Sequence, residues 1–326
     1  MTAKQKRAWL IYNPDAGRFP AGPLLPRAMR IFAEAGWSVD VKEGHNPEQL
    51  RSGAAEAAKE GLDAVFVAGG DGTVGLAADA LAGSDTALGV LPSGTANVWA
   101  QEIGLPRLTW ATPLALDEAA RRLATGSVRD VDLGTCNGHS FLLWAGIGLD
   151  GKVVNSIGPR QPWTRAFVAA QHTILAFWEA MGWTGLELRV DALNQRWEGR
   201  FVVAVASNIR AYAGGLLELS PEAKVDDGLL EFWLLKGSSM RDVVGWVMEI
   251  LLGQHVDDPN VTYFKADEAI FSADQPLPMQ LDGEPHEAPN QIRFGVRHRA
   301  VRMLVPQGGW PDLFSQDTAR GQEVSE

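Results

Sequence analysis

Disulfide bonds and membrane-spanning segments are both missing from this sequence. Its 326 residues include a single cysteine, Cys136, so no intrachain disulfide can form, which fits a reducing cytoplasm. No motif activates Cys136, and we expect a buried thiol rather than a nucleophile. No apolar run approaches the roughly 18–20 residues of a spanning helix, and the stretch Ala8–Tyr12 is too short for a signal peptide. We therefore expect a cytoplasmic protein.

Positive charge is also scarce. The chain carries 29 Lys and Arg residues against 40 Asp and Glu residues, a formal net charge of −11. This balance argues against nucleic-acid binding and against simple electrostatic attachment to anionic lipid. The densest basic run lies within residues 293–302, and we interpret it as the solvated face of a strand, with contact to anionic lipid headgroups as the alternative.

Two kinds of sequence follow one another along the chain. In residues 1–128, short apolar runs alternate with helical patterns, which predicts a doubly wound, mostly parallel sheet covered on both faces. Residues 129–305 are mostly short strands separated by turns, which predicts an antiparallel β-sandwich. We expect residues 306–326 to form a tail that packs back on the first domain and is disordered at its end.

The predicted helices are Pro26–Ala35, Pro47–Glu60, Val74–Leu81, about Asn97–Glu102, Trp163–Met181 and about Met240–Leu252. Ser239 is the expected cap of the last one. The predicted strands of the second domain include Phe141–Ala145, Ile292–Val296 and Val301–Val305.

Three glycine-rich turns follow predicted parallel strands, at Asn13, at Gly69–Thr73 and at Ser93–Asn97. Ligands bind at the carboxyl edge of such sheets. Glycine lets backbone N–H groups approach a phosphate closely, and a helix start favours an anion. Each turn alone could be an ordinary structural turn, but three on one edge predict a nucleotide-phosphate site. The pattern is neither a Walker P-loop nor a dinucleotide fingerprint.

The predicted nucleotide-binding residues are Asn13, Gly69, Gly70, Asp71, Gly72, Thr73, Ser93, Gly94, Thr95 and Asn97. Asp71 lies amid the glycines with no evident capping role. We therefore predict that it binds magnesium or takes part in catalysis.

Taken together, these motifs resemble the diacylglycerol kinase catalytic-domain family of bacterial lipid kinases, which is related to sphingosine and ceramide kinases. The resemblance covers about residues 8–305. It is carried by Asn13-Pro14 with Gly17, Gly69–Thr73, Leu91–Asn97, Asp132–Gly134, Gly146–Asp150, Asp227–Leu230 and Leu281–Glu284. The loop Gly69–Thr73 alone would also fit NAD kinases and phosphofructokinases, and the combination is more specific.

The resemblance implies a fold and a site. The fold is an NAD kinase- or phosphofructokinase-like α/β domain followed by the β-sandwich, with an ATP site in the cleft between them. Glu284 matches the family's general base, with Asp282 beside it. Asp71 is the alternative base, although we favour it as the acid that orients magnesium or phosphate. From spacing alone, Asp282-Gly283 predicts a hairpin turn rather than a catalytic site, and it is the resemblance that favours catalysis.

A magnesium site in the second domain is implied at Lys224, Asp227 and Leu229, with Lys224 and Leu229 contributing backbone carbonyls.

One departure from the family concerns a threonine that often contacts nucleotide. Residues 39–45 contain no threonine, and Asp40 or Val41 stands in its place.

The predicted function is a kinase that uses ATP and Mg²⁺ to phosphorylate a hydroxyl of diacylglycerol, phosphatidylglycerol or a sphingoid-type alcohol. Such a protein would be cytoplasmic and would contact the membrane surface transiently, as a peripheral protein. We expect no nucleic-acid partner, and a homodimer is possible. The helix Trp163–Met181 fits either packing on the sandwich or contact with acyl chains. The alternatives are an NAD kinase-like enzyme with a soluble substrate and a non-catalytic regulator that binds lipid or nucleotide.

Overall fold

The computed structural model describes residues 5–14, 22–109, 112–157, 182–308 and 311–315. The predicted helix Trp163–Met181, Gly17 and the end of the tail lie outside these ranges. Within these ranges, no helix combines the length and the hydropathy that a membrane span requires.

The first part of the chain alternates strands and helices. Its elements are β1 Lys6–Tyr12, α1 Leu25–Glu34, β2 Trp37–Glu43, α2 Pro47–Lys59, β3 Ala64–Gly69, α3 Asp71–Leu81, β4 Ala87–Pro92, α4 Val98–Glu102 and α5 Ala115–Ala124. Strand β1 pairs in parallel with β2 and β3, and β3 pairs in parallel with β4. Strand β3 is buried along its whole length, as expected for a parallel sheet covered on both faces.

The second part is mainly antiparallel. Its elements are β5 Ser127–Cys136, β6 His139–Phe141, β7 Trp144–Gly148, α6 Leu149–Ile157, β8 Leu186–Ala192, β9 Gln195–Ser207, β10 Ala211–Tyr212, β11 Leu217–Glu218, β12 Leu230–Lys236, α7 Met240–Leu251, β13 Val261–Ala266, β14 Glu268–Ser272, β15 Met279–Leu281, β16 Glu284–His286 and β17 Gln291–Val305. Strand β9 lies at the centre and pairs with β7, β8 and β12. Stacked and edge-on phenylalanines fill a second core around Phe232.

The two parts are joined through β17. This strand pairs antiparallel with β5 and β14, and Met303 near its end pairs in parallel with Leu88 of β4. The predicted α/β and antiparallel halves are therefore confirmed, and they share one hydrogen-bonded sheet. Cys136 is buried as predicted, and burial raises the pKa of its thiol to about 12.

Several predicted elements need correction. The strands Ile292–Val296 and Val301–Val305 form one strand, β17, with an irregularity between Arg297 and Val301. The predicted strand Phe141–Ala145 is instead divided between β6 and β7. It breaks because the N–H groups of Leu142 and Leu143 donate to the Asp282 carboxylate instead of to a neighbouring strand.

Helix boundaries also differ. Helices α5 and α6 were not predicted, and α3 begins at Asp71, three residues before the predicted start. The predicted cap of α7 is confirmed, since Ser239 Oγ accepts a hydrogen bond from Asp242 N–H at 3.4 Å. In the described part of the tail, Leu313 is buried and accepts from Val225 N–H. The domain limits at residues 128 and 305 stay predictions.

Candidate active site

The second and third glycine turns touch backbone to backbone. A Cβ added at Gly94 would lie 2.3 Å from the Cα of Gly70, so no larger residue fits there. Ser93 N–H also donates to the Gly69 carbonyl at 3.2 Å. Both turns end buried parallel strands, β3 and β4. The structure therefore brings the two predicted phosphate turns together at one edge of the sheet.

Asn97 closes the third turn. It adopts the left-handed conformation, with φ of 55°, and precedes α4. Its Oδ1 accepts from Gly94 N–H at 2.8 Å, and its Nδ2 donates to the Gly94 carbonyl at 2.9 Å. Arg107 donates to the carbonyl of Thr95 at 3.2 Å. These bonds hold the turn in shape.

The first turn begins at the same edge of the sheet. Tyr12 pairs with Ala68 of β3, which places Asn13 beside the start of the second turn. Asp40 and Val41, the stand-ins for the family threonine, lie inside β2, whose carboxyl end is at Glu43. Their contact with nucleotide stays a prediction.

Asp71 has a structural partner that the sequence did not reveal. Its Oδ1 accepts from Trp99 N–H, in the first turn of α4, at 3.2 Å. Burial raises the pKa of Asp71, and backbone N–H groups at the start of α4 oppose that rise. The side chain therefore links the starts of two helices, α3 and α4, where the two glycine turns meet.

Asp282 lies in a tight hairpin turn between β15 and β16. Leu281 and Glu284 pair across this turn, and both central residues have positive φ, 50° for Asp282 and 82° for Gly283. Positive φ at both positions is what a type I′ hairpin requires. The expectation of a hairpin at Asp-Gly is therefore confirmed.

The Asp282 carboxylate accepts three backbone hydrogen bonds from the β6–β7 connection. Leu142 and Leu143 donate at 2.8 Å each, and Trp144 donates at 3.2 Å. Burial raises the pKa of Asp282 to about 7, against the opposing effect of these N–H groups; the nearby charge of Asp71 also raises it. Asp282 thus fixes the turn from one side.

Glu284 is exposed and packs against the first turn of α3. A Cβ at Gly72 would lie 3.4 Å from Glu284 Oε1, and a Cβ at Gly75 would lie 3.1 Å from Asp282 Oδ2. Two helix glycines therefore make room for the hairpin turn. The structure in this way brings Asp71, Asp282 and Glu284, from opposite halves of the chain, to one place.

Sequence reasoning missed a buried group beneath this turn. Gln280 Nε2 donates to Asp150 Oδ2 at 3.0 Å, and Gln280 Oε1 accepts from Gly283 N–H at 2.6 Å. Tyr212 is also hydrogen-bonded to Asp150, and burial raises the pKa of both groups. Asp150 could have been found from the sequence, because it belongs to a glycine motif that carries the family resemblance. No sequence motif marks Gln280 as a site residue.

The predicted magnesium ligands lie in one turn before β12. Asp227 Oδ1 accepts from Leu229 N–H at 3.0 Å, and the Lys224 ammonium donates to the Asp312 carbonyl. One carboxylate with backbone carbonyls is the kind of oxygen donor set that magnesium takes. Nevertheless, no cluster of three or more His, Cys, Asp or Glu side chains suited to a metal occurs within the described ranges.

Family models match both parts of the chain. Residues 7–136 match the family model of the diacylglycerol kinase catalytic domain, and residues 145–305 match that of the YegS C-terminal NAD kinase beta sandwich-like domain. The diacylglycerol kinase of Mycobacterium tuberculosis (strain CDC 1551 / Oshkosh) is 32% identical over 304 residues, covering 91% of this chain and 94% of the relative. That of Bacillus subtilis (strain 168) is 27% identical over 284 residues, covering 86% and 90%.

A crystal structure of a diacylglycerol kinase from Bacillus anthracis (strain Sterne) shares the fold. It superposes with a TM-score of 0.70 at 20% sequence identity, covering 95% of this chain and 100% of that one. The chain belongs to the diacylglycerol kinase family. It is a lipid kinase in general class, a phosphotransferase with an alcohol acceptor, and its family implies ATP as the phosphate donor.

Proposed function

We propose that this protein transfers the γ-phosphoryl group of ATP to a hydroxyl of a lipid of the diacylglycerol type, with Glu284 as the general base. The observation that carries the proposal is the packing of the Asp282–Glu284 turn against the glycine-rich start of α3. It places an exposed carboxylate beside backbone N–H groups suited to phosphate.

The glycine turns fit a phosphate chain. The contact between Gly70 and Gly94 leaves backbone without side chains at the carboxyl edge of the sheet. The N–H groups of Thr73 and Val74 donate to the Gly70 carbonyl and fix the start of α3, where the helix dipole favours an anion. Gly69–Thr73 and Ser93–Asn97 would hold ATP, which supplies the phosphoryl group when bound.

Glu284 is the best placed of the three acids to take a proton. Asp282 is bonded to three backbone N–H groups, and Asp71 accepts from Trp99 N–H. Both aspartates are also partly buried, whereas Glu284 is exposed at the start of β16 and so open to an incoming hydroxyl. A positioned carboxylate that removes the hydroxyl proton contributes roughly 10²–10⁴-fold to such a reaction.

Magnesium has two proposed places. Asp71 would orient magnesium or phosphate at the start of α3, and the turn holding Lys224, Asp227 and Leu229 would hold a structural ion through oxygen ligands. When bound, the ion neutralises charge on the transferring group or, at the second place, ties the turn together.

The lipid acceptor is supported by the names of the relatives, which are diacylglycerol kinases. A membrane lipid substrate would require the protein to meet the bilayer surface transiently. We therefore propose a cytoplasmic enzyme that is peripheral at the membrane.

A lipid panel tests the proposal. Purified protein is incubated with γ-labelled ATP and Mg²⁺ in mixed micelles containing diacylglycerol, phosphatidylglycerol or a sphingoid base, with NAD in a detergent-free arm. Label in an extracted lipid supports the proposal and names the acceptor. Label in NAD alone would establish the soluble-substrate alternative. Nucleotide binding without any labelled product would indicate a regulator.

A further inference from the structure

The amide of Gln280 bridges two distant parts of the candidate site. Gln280 lies in β15, and only 1% of the residue is exposed. Its amide nitrogen donates to Asp150 Oδ2 at 3.0 Å, and its amide oxygen accepts from Gly283 N–H at 2.6 Å. Gly283 N–H belongs to the peptide that joins Asp282 to Gly283, so this bridge ends at the central peptide of the turn that carries Glu284.

The fold makes room for Asp150 at this point. A Cβ at Gly146 would lie 1.7 Å from Asp150 Oδ2 and 2.7 Å from Gln280 Nε2. Gly146 therefore has to be glycine for the carboxylate to reach the amide. Tyr212, in β10, is a further hydrogen-bond partner of Asp150.

We infer that Asp150 and Gln280 are positioning residues that set the turn carrying Glu284. The inference rests on the proposed function in taking Glu284 as the proton acceptor. Asp150 accepts hydrogen bonds, so the nitrogen of the Gln280 amide faces it. The amide oxygen is then directed at Gly283 N–H, and the orientation of one buried amide is transmitted to the central peptide of the turn, one residue before Glu284.

The turn is thus held on two sides. The Asp282 carboxylate fixes it to the β6–β7 connection, and Gln280 fixes Gly283 to the start of α6 through Asp150. We expect both attachments to contribute, because the turn has two residues in the left-handed conformation and its outer residue, Glu284, is exposed. Release of either side would let Glu284 drift from α3.

A reciprocal exchange of the two side chains tests the inference. Asp150→Asn puts two amides in contact, and Gln280→Glu puts two carboxyl groups in contact. In the double variant the new asparagine donates to the new glutamate, which still accepts from Gly283 N–H, and the net charge is that of the wild type. A matched control is Asp191→Asn with Gln195→Glu on the exposed β8–β9 hairpin.

We expect each single variant to lower kcat for lipid phosphorylation by about 10- to 100-fold, as expected when a catalytic group moves by up to about 1 Å. KM for ATP should stay within about twofold. The double variant should recover to within about threefold of the wild type, because the two changes compensate each other. Unchanged kcat in both single variants, or a double variant no better than the worse single variant, would overturn the inference.

Amide hydrogen exchange of residues 279–286 supplies a readout that needs no lipid substrate. The single variants should exchange faster in this segment than the wild type, and the double variant and the control should match the wild type. If the wild-type protein labels no lipid while this exchange pattern holds, the proposed function fails and the positioning of the turn stands. Unaltered exchange in the single variants overturns the positioning itself.

Discussion

Asp71, Asp282 and Glu284 carry the same carboxyl group in three different surroundings. Asp71 bonds to Trp99 N–H, Asp282 bonds to three backbone N–H groups, and Glu284 faces solvent beside α3. Desolvation raises the pKa of the first two. The two aspartates are thus held by backbone N–H groups, and the proposed proton acceptor, Glu284, is the exposed member of the three.

Asp282 gives a pH-dependent prediction. Its pKa of about 7 lies above the ordinary aspartate value, so between about pH 4 and 7 the folded protein holds a proton that the unfolded chain has released. The stability that this group contributes is present below about pH 4 and is lost as the pH rises through about 7. Asparagine does not titrate, so the destabilisation caused by Asp282→Asn should shrink between about pH 5 and pH 7.5.

Urea denaturation of the wild type and the variant at the two pH values measures this difference. If the destabilisation caused by Asp282→Asn grows with pH, the prediction is wrong. The three N–H groups then favour the charged Asp282 carboxylate more than burial disfavours it.

Sequence motifs identified some of these residues and not others. Asp282-Gly283-Glu284 is a local pattern, and its hairpin follows from the two positions of positive φ. The bond between Gln280 and Asp150 joins residues 130 apart in sequence. Such a contact depends on how β15 pairs with β7, which no local pattern encodes.

At the scale of elements, the site depends on two strand–helix turns that touch at Gly70 and Gly94. Gly94→Ala would place a methyl group 2.3 Å from the Gly70 Cα, and both turns would have to move. We expect this variant to weaken ATP binding by about tenfold or more, the scale of a lost oriented contact, as measured by isothermal titration.

Gly245→Ala in α7 is the matched control, since an added Cβ there meets no atom within 4 Å. That change should leave ATP binding unaltered and stabilise α7 by up to about 1 kcal/mol. Equal ATP affinity of the Gly94→Ala variant and the wild type would contradict the proposed role of the turns.

Elements with strong local signals were predictable. Helix α7 has a serine cap and an apolar stripe, and α2 is rich in alanine and starts at Pro47 after the cap Asn46. Helix α6 escaped prediction because its start coincides with the glycine motif Gly146–Asp150. The break between β6 and β7 escaped because its cause, the Asp282 carboxylate, lies about 140 residues away.

At the scale of the whole molecule, a buried ion pair ties the two predicted domains together. Arg210, after β9, donates twice to Glu102 of α4, at 3.0 and 3.1 Å, and Ala211 N–H donates to the same carboxylate at 2.6 Å. The side chains are 14% and 4% exposed. This pair anchors the segment that leads to Tyr212, beneath the candidate site.

Breaking the pair should be costly. Arg210→Met leaves the Glu102 carboxylate buried with one partner removed, and we expect a loss of about 3–5 kcal/mol in the free energy of unfolding. The exposed pair of Arg189 and Asp274 offers a control, and Arg189→Met should cost under about 1 kcal/mol. Urea denaturation measures both. If Arg210→Met and Arg189→Met lower the free energy of unfolding by similar small amounts, the buried pair does not stabilise the contact between the two predicted domains.

The two-part architecture could be predicted from the sequence because strand and helix patterns change near residue 128. The junction through Met303 and Leu88 could not, since it depends on pairing between residues far apart in the chain. The buried pair of Glu102 and Arg210 could not be predicted either, because its two residues are also far apart in the chain.

The central claim is that Glu284 takes the proton from a lipid hydroxyl beside the start of α3. The most direct measurement is single-turnover transfer of label from ATP to lipid by the wild type, Glu284→Gln and the control Glu287→Gln. We expect the wild type and the control to label lipid equally, and Glu284→Gln to be slower by roughly 10²–10⁴-fold with unchanged ATP affinity. Transfer by Glu284→Gln at the wild-type rate would contradict the account.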